Sequence, residues 1–146
     1  AEGLLSLLKT EDIPAWRATY LSLLPQTVGA AAGRPTAIAS LKAPDPLERA
    51  AAVRYFAGTP GAAELVTPLL QDPARLVRLD AAWELSPQLP ADSPARKELD
   101  DYLALSLDQP SGRLRLGQDF ANRGDLAGAE REMALAAVRG RSKPAT

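Results

Sequence analysis

The sequence predicts an all-α fold assembled from short helical hairpins, and three observations predict it. Alanine and leucine supply most of an apolar content of 46%, while aromatic residues make up only 5%. That balance suits closely packed helices better than a sheet, where branched and aromatic side chains dominate. Arg17, Arg49 and Arg78 each stand near a helix start, ahead of an alanine-rich stripe, and recur about every 30 residues, the length of a two-helix repeat. Apolar residues also return at helical spacing within segments separated by proline and glycine. With 146 residues the chain is long enough to bury a core.

Leu4, Leu5, Leu7 and Leu8 predict a short first helix ending near Thr10. Asp12 is the expected cap of the second helix, with Pro14 in its first turn, where a missing N–H costs nothing. Trp16, Tyr20, Leu21, Leu23 and Leu24 give that helix its apolar positions, and Pro25 is expected to stop it. Residues 28–33 read as a loose joint. The two glycines there lack the spacing and the Lys-Ser or Lys-Thr pair of a phosphate loop. A short helix over 35–42 follows.

Asp45-Pro46 opens the next helix, which carries Ala50, Val53, Tyr55 and Phe56. A helix is expected from Gly61 to Leu70, and Asp72-Pro73 repeats the turn signal before the stripe of Val77, Ala81, Ala82 and Leu85. Pro87, Pro90 and Pro94 break the chain and mark a boundary. Ser93 and Pro94 then start a longer helix over 94–109. Pro110 ends it, a helix with Leu114, Leu116 and Phe120 follows, Gly124-Asp125 turns the chain back, and Ala129, Met133 and Ala136 stripe the last helix. From Arg139 onward no pattern remains. About nine helices and no strand are expected, with the second helix of each early hairpin on a concave side.

The composition excludes several kinds of chemistry. There is no cysteine and no histidine, so disulfides, thiol nucleophiles, Cys/His zinc sites and a histidine base are absent. The net charge is −1, from 17 basic and 18 acidic residues, and nucleic-acid binding is not expected because each phosphate must meet a positive charge. The densest basic cluster is Arg139, Arg141 and Lys143, which reads as a solvated tail. No apolar run is long enough to span a membrane.

Segments 4–24, 35–57 and 61–86 resemble HEAT-type repeats. The similarity is carried best by Asp72-Pro73-Ala74-Arg75-Leu76-Val77-Arg78-Leu79-Asp80-Ala81-Ala82, then by Asp45-Pro46-Leu47-Glu48-Arg49-Ala50-Ala51-Ala52, and by Pro14, Arg17 and Ala18 in the first copy. The tail resembles one tetratricopeptide repeat through Leu116-Gly117, Phe120, Gly124-Asp125-Leu126, Ala129-Glu130 and Ala136. It departs from that pattern at Arg113, where the family has an aromatic, and in lacking a closing proline near Arg141. The resemblance implies an α-α superhelix of HEAT-like hairpins over 1–90, a bridging helix and terminal tetratricopeptide-like hairpin over 91–140, and a disordered tail over 141–146.

The order of these parts resembles the C-terminal region of bacterial multihaem cytochrome c-type proteins. That similarity implies an exported, periplasmic protein whose haem c groups lie in an upstream region. None is expected within this sequence, which contains no Cys-x-x-Cys-His motif. The chain begins with Ala1-Glu2-Gly3 and has neither an initiator methionine nor a signal peptide at this point; an excised piece of a longer protein is the expectation. The competing expectations are a stand-alone cytoplasmic adaptor and a DNA-binding HEAT-like module.

No catalytic, cofactor or metal residues are expected, and the function predicted is a non-enzymatic scaffold whose partner is a protein or another region of the same polypeptide. The pattern sets no oligomeric state. Arg17, Arg49 and Arg78 read as a structural ladder, bonding carboxylates or helix-end carbonyls, with Asp45, Asp72 and Asp80 as candidate acceptors. A ladder receiving an acidic partner is the alternative. Gln118 and Asn122 are candidate partner-binding residues, because the tetratricopeptide resemblance puts them on the inner face of its first helix. Glu98, Asp100, Asp101 and Asp108 read as a solvated acidic face rather than a calcium loop. Trp16 and Trp83 read as packing residues, and Tyr20, Tyr55 and Tyr102 as half-buried ones.

Overall fold

The computed structural model describes residues 2–27 and 29–141, and among these the chain is all helix and turn, with no strand. It divides into two compact units between Glu84 and Leu85, ahead of the proline cluster.

The first unit contains α1 (Glu2–Thr10), α2 (Pro14–Thr27), α3 (Ala30–Ser40), α4 (Pro46–Tyr55), α5 (Ala62–Val66) and α6 (Arg75–Glu84), with a 3-10 segment at Thr67–Gln71. α1 lies on α2 and α3 on α4, while α2 packs along α4 and α4 along α6. The second helix of each pair is thus a neighbour of the next pair's second helix. Small side chains let them approach: Ala50, Ala51 and Ala52 are fully buried, as is Ala81. Leu8, Leu21, Leu24, Val53, Phe56, Val66 and Val77 fill the space between them.

Local chemistry explains the helix starts. The Asp45 carboxylate accepts from the Leu47 N–H at 2.8 Å, with Pro46 in the first turn. Asp72 accepts from the Ala74 N–H at 2.8 Å. At the head of α2 the capping carboxylate is Glu11, which accepts from the Ile13 N–H at 2.9 Å, and not Asp12 as the sequence suggested. Asp12 lies one residue too close to the helix to fold back on that amide.

Several boundaries differ from the sequence expectation. α2 continues through Pro25 to Thr27; a proline near a helix end loses few backbone bonds. Of the segment 28–33 expected to be a joint, Val28 lies outside the described residues, and 30–33 are the first turn of α3. The break falls instead at Gly29, whose φ of 79 is open to glycine but costly for other residues. The helix expected over 61–70 is shortened by Pro68, so that α5 gives way to the tighter 3-10 segment.

The second unit contains a 3-10 segment at Ser86–Gln88, then α7 (Pro94–Ala104), α8 (Pro110–Asn122) and α9 (Leu126–Arg141). Ser93 Oγ caps α7 by accepting from the Arg96 N–H at 3.1 Å. α7 ends at Ala104, short of the expected 109. α8 and α9 form a closely packed hairpin, and α7 rests on α8. The turn between α8 and α9 uses Gly124 at φ 81, and Asp125 accepts from the Gly128 N–H at 2.9 Å to start α9. Helix α9 reaches Arg141, beyond the point where the sequence lost its pattern. The rest of the expected disordered tail, 142–146, lies outside the described residues, as does Lys143 of the basic cluster.

Candidate functional site

The three repeated arginines occupy equivalent places in the first unit. Nη1 of each donates to two carbonyls at the turn before its own helix. Arg17 reaches Leu8 at 2.5 Å and Glu11 at 3.1 Å. Arg49 reaches Ala43 at 2.8 Å and Pro44 at 2.7 Å. Arg78 reaches Asp72 at 2.8 Å and Pro73 at 3.1 Å. These are the carbonyls left without helical partners where one helix ends and the next begins.

In Arg17 and Arg49 the rest of the guanidinium grips the following hairpin. Arg17 Nε and Nη2 donate to the two carboxylate oxygens of Glu48 at 2.7 and 2.9 Å. Arg49 does the same to Asp72 at 2.7 and 2.8 Å. A planar fork can satisfy a carboxylate and two carbonyls together, which an ammonium cannot. Of the acceptors named from the sequence, Asp72 is one. Asp45 serves as a cap, and Asp80 faces Arg54, with Nη1 3.2 Å from Oδ2. Glu48, the acceptor for Arg17, was not among them. Its signal was an acidic residue immediately before a repeated arginine.

The electrostatics follow from these contacts. Burial alone would raise the Glu48 carboxyl, but hydrogen bonds from Arg17 and Ser40 bring it below its usual value. The Arg49 hydrogen bond is the main cause holding Asp72 low. Both are therefore fixed anions with no proton to donate near neutrality, which makes them poor general acids. Asp80 shifts the other way: burial raises it, and Arg54 only partly opposes the effect.

Two concavities flank the ladder. One of about 550 Å³ is lined by Arg17, Glu48 and Ser40 together with Glu11, Lys42 and Asp45. The other, about 340 Å³, is mostly apolar, with Ile38, Leu41, Leu65, Pro68 and Leu69 in its wall.

The second unit holds a charged cluster that sequence reasoning missed. Asp119 is fully buried on α8, and its carboxylate accepts from Ser86 Oγ at 2.5 Å, Arg96 Nη1 at 3.0 Å and Arg96 Nη2 at 3.1 Å. Arg123 Nε adds a contact at 3.1 Å, and Arg96 also bonds Asp100. Burial would raise Asp119, but Arg96, Ser86 and Arg123 hold it low. The sequence signal was an aspartate among the apolar positions Leu116 and Phe120 of one helix. Two of its partners, Ser86 and Arg96, lie too far along the chain for local pattern to reveal.

In the α8–α9 hairpin, Gln118 and Asn122 are exposed one turn apart on α8, and Gln118 Nε2 donates to Asn122 Oδ1 at 2.9 Å. Leu114, one turn earlier, is also exposed. Arg113 pairs with Glu132 across the hairpin at 2.8 Å. A Cβ on Gly117 would lie 3.1 Å from Met133 and 3.2 Å from the Ala129 carbonyl, which explains a glycine at this close approach.

The acidic segment disperses. Asp100 bonds Arg96, and Asp101 and Asp108 are exposed. Among the described residues no group of three or more acidic side chains is arranged to hold a metal ion, and no helix is long and apolar enough to cross a membrane. Of the two tryptophans, both expected to pack in the core or between repeats, Trp83 is half-buried, but Trp16 is 52% exposed and lies outside the core. Leu21 and Leu24 take the inner face of α2 and turn Trp16 outward. Tyr55 is buried, while Tyr20 and Tyr102 are half-buried.

No protein-family model matches the chain, and neither a curated protein nor a solved structure matches it.

Proposed function

We propose that this chain is a non-catalytic helical-repeat scaffold for protein–protein interaction, with HEAT-like hairpins followed by a tetratricopeptide-like hairpin. The observation that carries the reading is the recurring fork: Arg17 onto Glu48 and Arg49 onto Asp72, each also closing its own turn. Charges arranged this way join one hairpin to the next. Successive contacts of α2 with α4 and α4 with α6 fit the same reading, since stacked repeats touch only their neighbours. Exposed side chains available for recognition include the uncharged Trp16, Gln118 and Asn122.

The test is site-specific photocrosslinking in the native cell from residues 16, 118 and 122, with exposed Lys97 as a control position. A discrete crosslinked protein or a self-crosslink from the first set, absent from the control, is the expected outcome. Crosslinks no different from the control would reject the scaffold reading. A salt-sensitive DNA-binding curve would favour the DNA-binding alternative instead.

The wider setting, an exported multihaem cytochrome-like protein with haem c upstream, rests on the order of the repeat types alone. The encoding gene tests it: Cys-x-x-Cys-His motifs behind a signal peptide support this setting, and an upstream region with neither rejects it and leaves only the interaction-module reading.

A further inference from the structure

The outward side of α2 has the makings of an interface. Its only charged residue is Arg17, and that side chain is engaged with Glu48. On the remaining side Ile13, Trp16, Tyr20, Leu23 and Thr27 recur at alternating steps of three and four, which places them in one stripe. Ile13 is 53% exposed and Leu23 41%, and Tyr20 stacks on Trp16 with ring centroids 6.3 Å apart. A stripe of large uncharged side chains on a surface helix marks a contact face.

A second, independent feature says what would sit there. In the third hairpin Asp72 caps the turn and receives the arginine fork of the hairpin before it. Glu11 stands to Arg17 as Asp72 stands to Arg78: each lies six residues ahead of the arginine, and each carboxylate accepts from the N–H two residues on. Glu11 thus reproduces the receiving half of the internal junction. Beside it lies an apolar helix face, as at the α2–α4 and α4–α6 contacts.

We propose that this face docks a helical hairpin of a partner protein, one that lays an uncharged helix side on the Trp16 stripe and sets an arginine fork on Glu11. The inference deepens the scaffold reading above by naming the surface and the chemistry of its partner. A symmetric second copy fits less well, because the arginine of its own α2 is already held by Glu48.

The probe is the chain's own hairpin. Residues 30–61, which carry Arg49, are duplicated and fused ahead of residue 2 of the full chain, in a Trp83→Phe background so that Trp16 alone reports. The fused hairpin is expected to shift Trp16 emission to the blue and raise Tm by about 3 °C or more. Glu11→Gln, which keeps the capping oxygen, should remove much of that rise and leave the unfused chain unchanged. Trp16→Glu in the unfused chain should leave Tm unchanged, because the ring is outside the core.

Three results overturn the proposal: Trp16 emission and Tm both unmoved by the fused hairpin, a large Tm loss from Trp16→Glu in the unfused chain, or sedimentation of the unfused chain as a dimer with Trp16 shielded. Crosslinks from residues 118 and 122 alone would preserve the scaffold reading while this proposal failed.

Discussion

Arg96 and Asp119 meet in a two-pronged ion pair whose side chains are 3% and 0% exposed. Removing Asp119 leaves the buried Arg96 with only the exposed Asp100 as counter-charge, a loss of about 3 kcal/mol or more. Asp119→Ala is therefore expected to lower the urea midpoint severely. The matched control is Asp100→Ala. Asp100 also contacts Arg96, but it is 52% exposed, so water can replace it and the cost should be well under half as large.

Arg49 makes four bonds at once, two to Asp72 and two to carbonyls. Lysine keeps the charge but not the fork. Arg49→Lys should cost about 1–2 kcal/mol and Arg49→Ala more, both read by denaturant unfolding. At the neighbouring pair, Arg54 is 53% exposed and faces Asp80 in poor geometry, so Arg54→Ala should change stability by less than about 1 kcal/mol. Equal losses at 49 and 54 would contradict the distinction between a junction and a surface pair.

Several caps and turns were legible in the sequence because their signals are local. Asp45-Pro46, Ser93-Pro94 and Gly124-Asp125 each specify one turn, and each turn forms where its residues fall. The orientation of α2 was not legible. Apolar residues occur on more than one of its sides, with Leu21 and Leu24 facing inward and Trp16 and Leu23 outward, so periodicity cannot tell core from surface. The arginine ladder was partly legible, because the donors repeat. Its acceptor in the second hairpin shifts from the turn to Glu48 on the helix itself, and no repeat pattern contains that change. Ser86, Arg96 and Asp119 come together from separate elements, and their meeting is a property of packing alone.

Acid should weaken the molecule through Glu48, Asp72 and Asp119, whose carboxyls are all held below their usual values in the folded chain. For such groups the stabilisation is complete above the unfolded carboxyl pKa of about 4 and is lost as pH falls through the lower folded values. The contribution of these three groups to unfolding midpoints should therefore be flat from about pH 7 to 5 and drop below about pH 4. In Asp119→Asn that drop should be shallower, because one of the three protonation sites is gone. An unchanged slope would rule out Asp119 as a contributor.

Asp80 should show the opposite sign. Burial raises its carboxyl above the unfolded value, and Oδ2 has no hydrogen-bond partner despite Arg54 at 3.2 Å. A raised folded pKa means that the folded chain binds the proton more tightly than the unfolded one. Its contribution thus becomes unfavourable as pH rises through the unfolded value and then the folded one, and it disappears in acid. Asp80→Asn, which removes the charge and keeps the shape, should raise Tm near pH 7 and lose that advantage near pH 3. A variant less stable than the parent at both pH values would mean that the Arg54 contact outweighs the burial cost.

Gly112 occupies a place that no other residue can take without moving the backbone. A Cβ built there would lie 1.9 Å from the Ser106 carbonyl oxygen. That oxygen accepts from the Gln109 N–H at 3.0 Å and so helps form the turn between α7 and α8. The obstruction is main chain, and relief requires displacing the turn or the start of α8. Gly112→Ala should therefore destabilise by about 2 kcal/mol or more, even though alanine is the better helix former. Gly3→Ala is the comparison: also helical, with nothing within 4 Å of the added carbon, it should be neutral or stabilising by up to about 1 kcal/mol. Chemical denaturation of the two variants side by side measures the difference. If Gly112→Ala proves as stable as Gly3→Ala, the close approach of α8 to the Ser106 carbonyl is not present in solution.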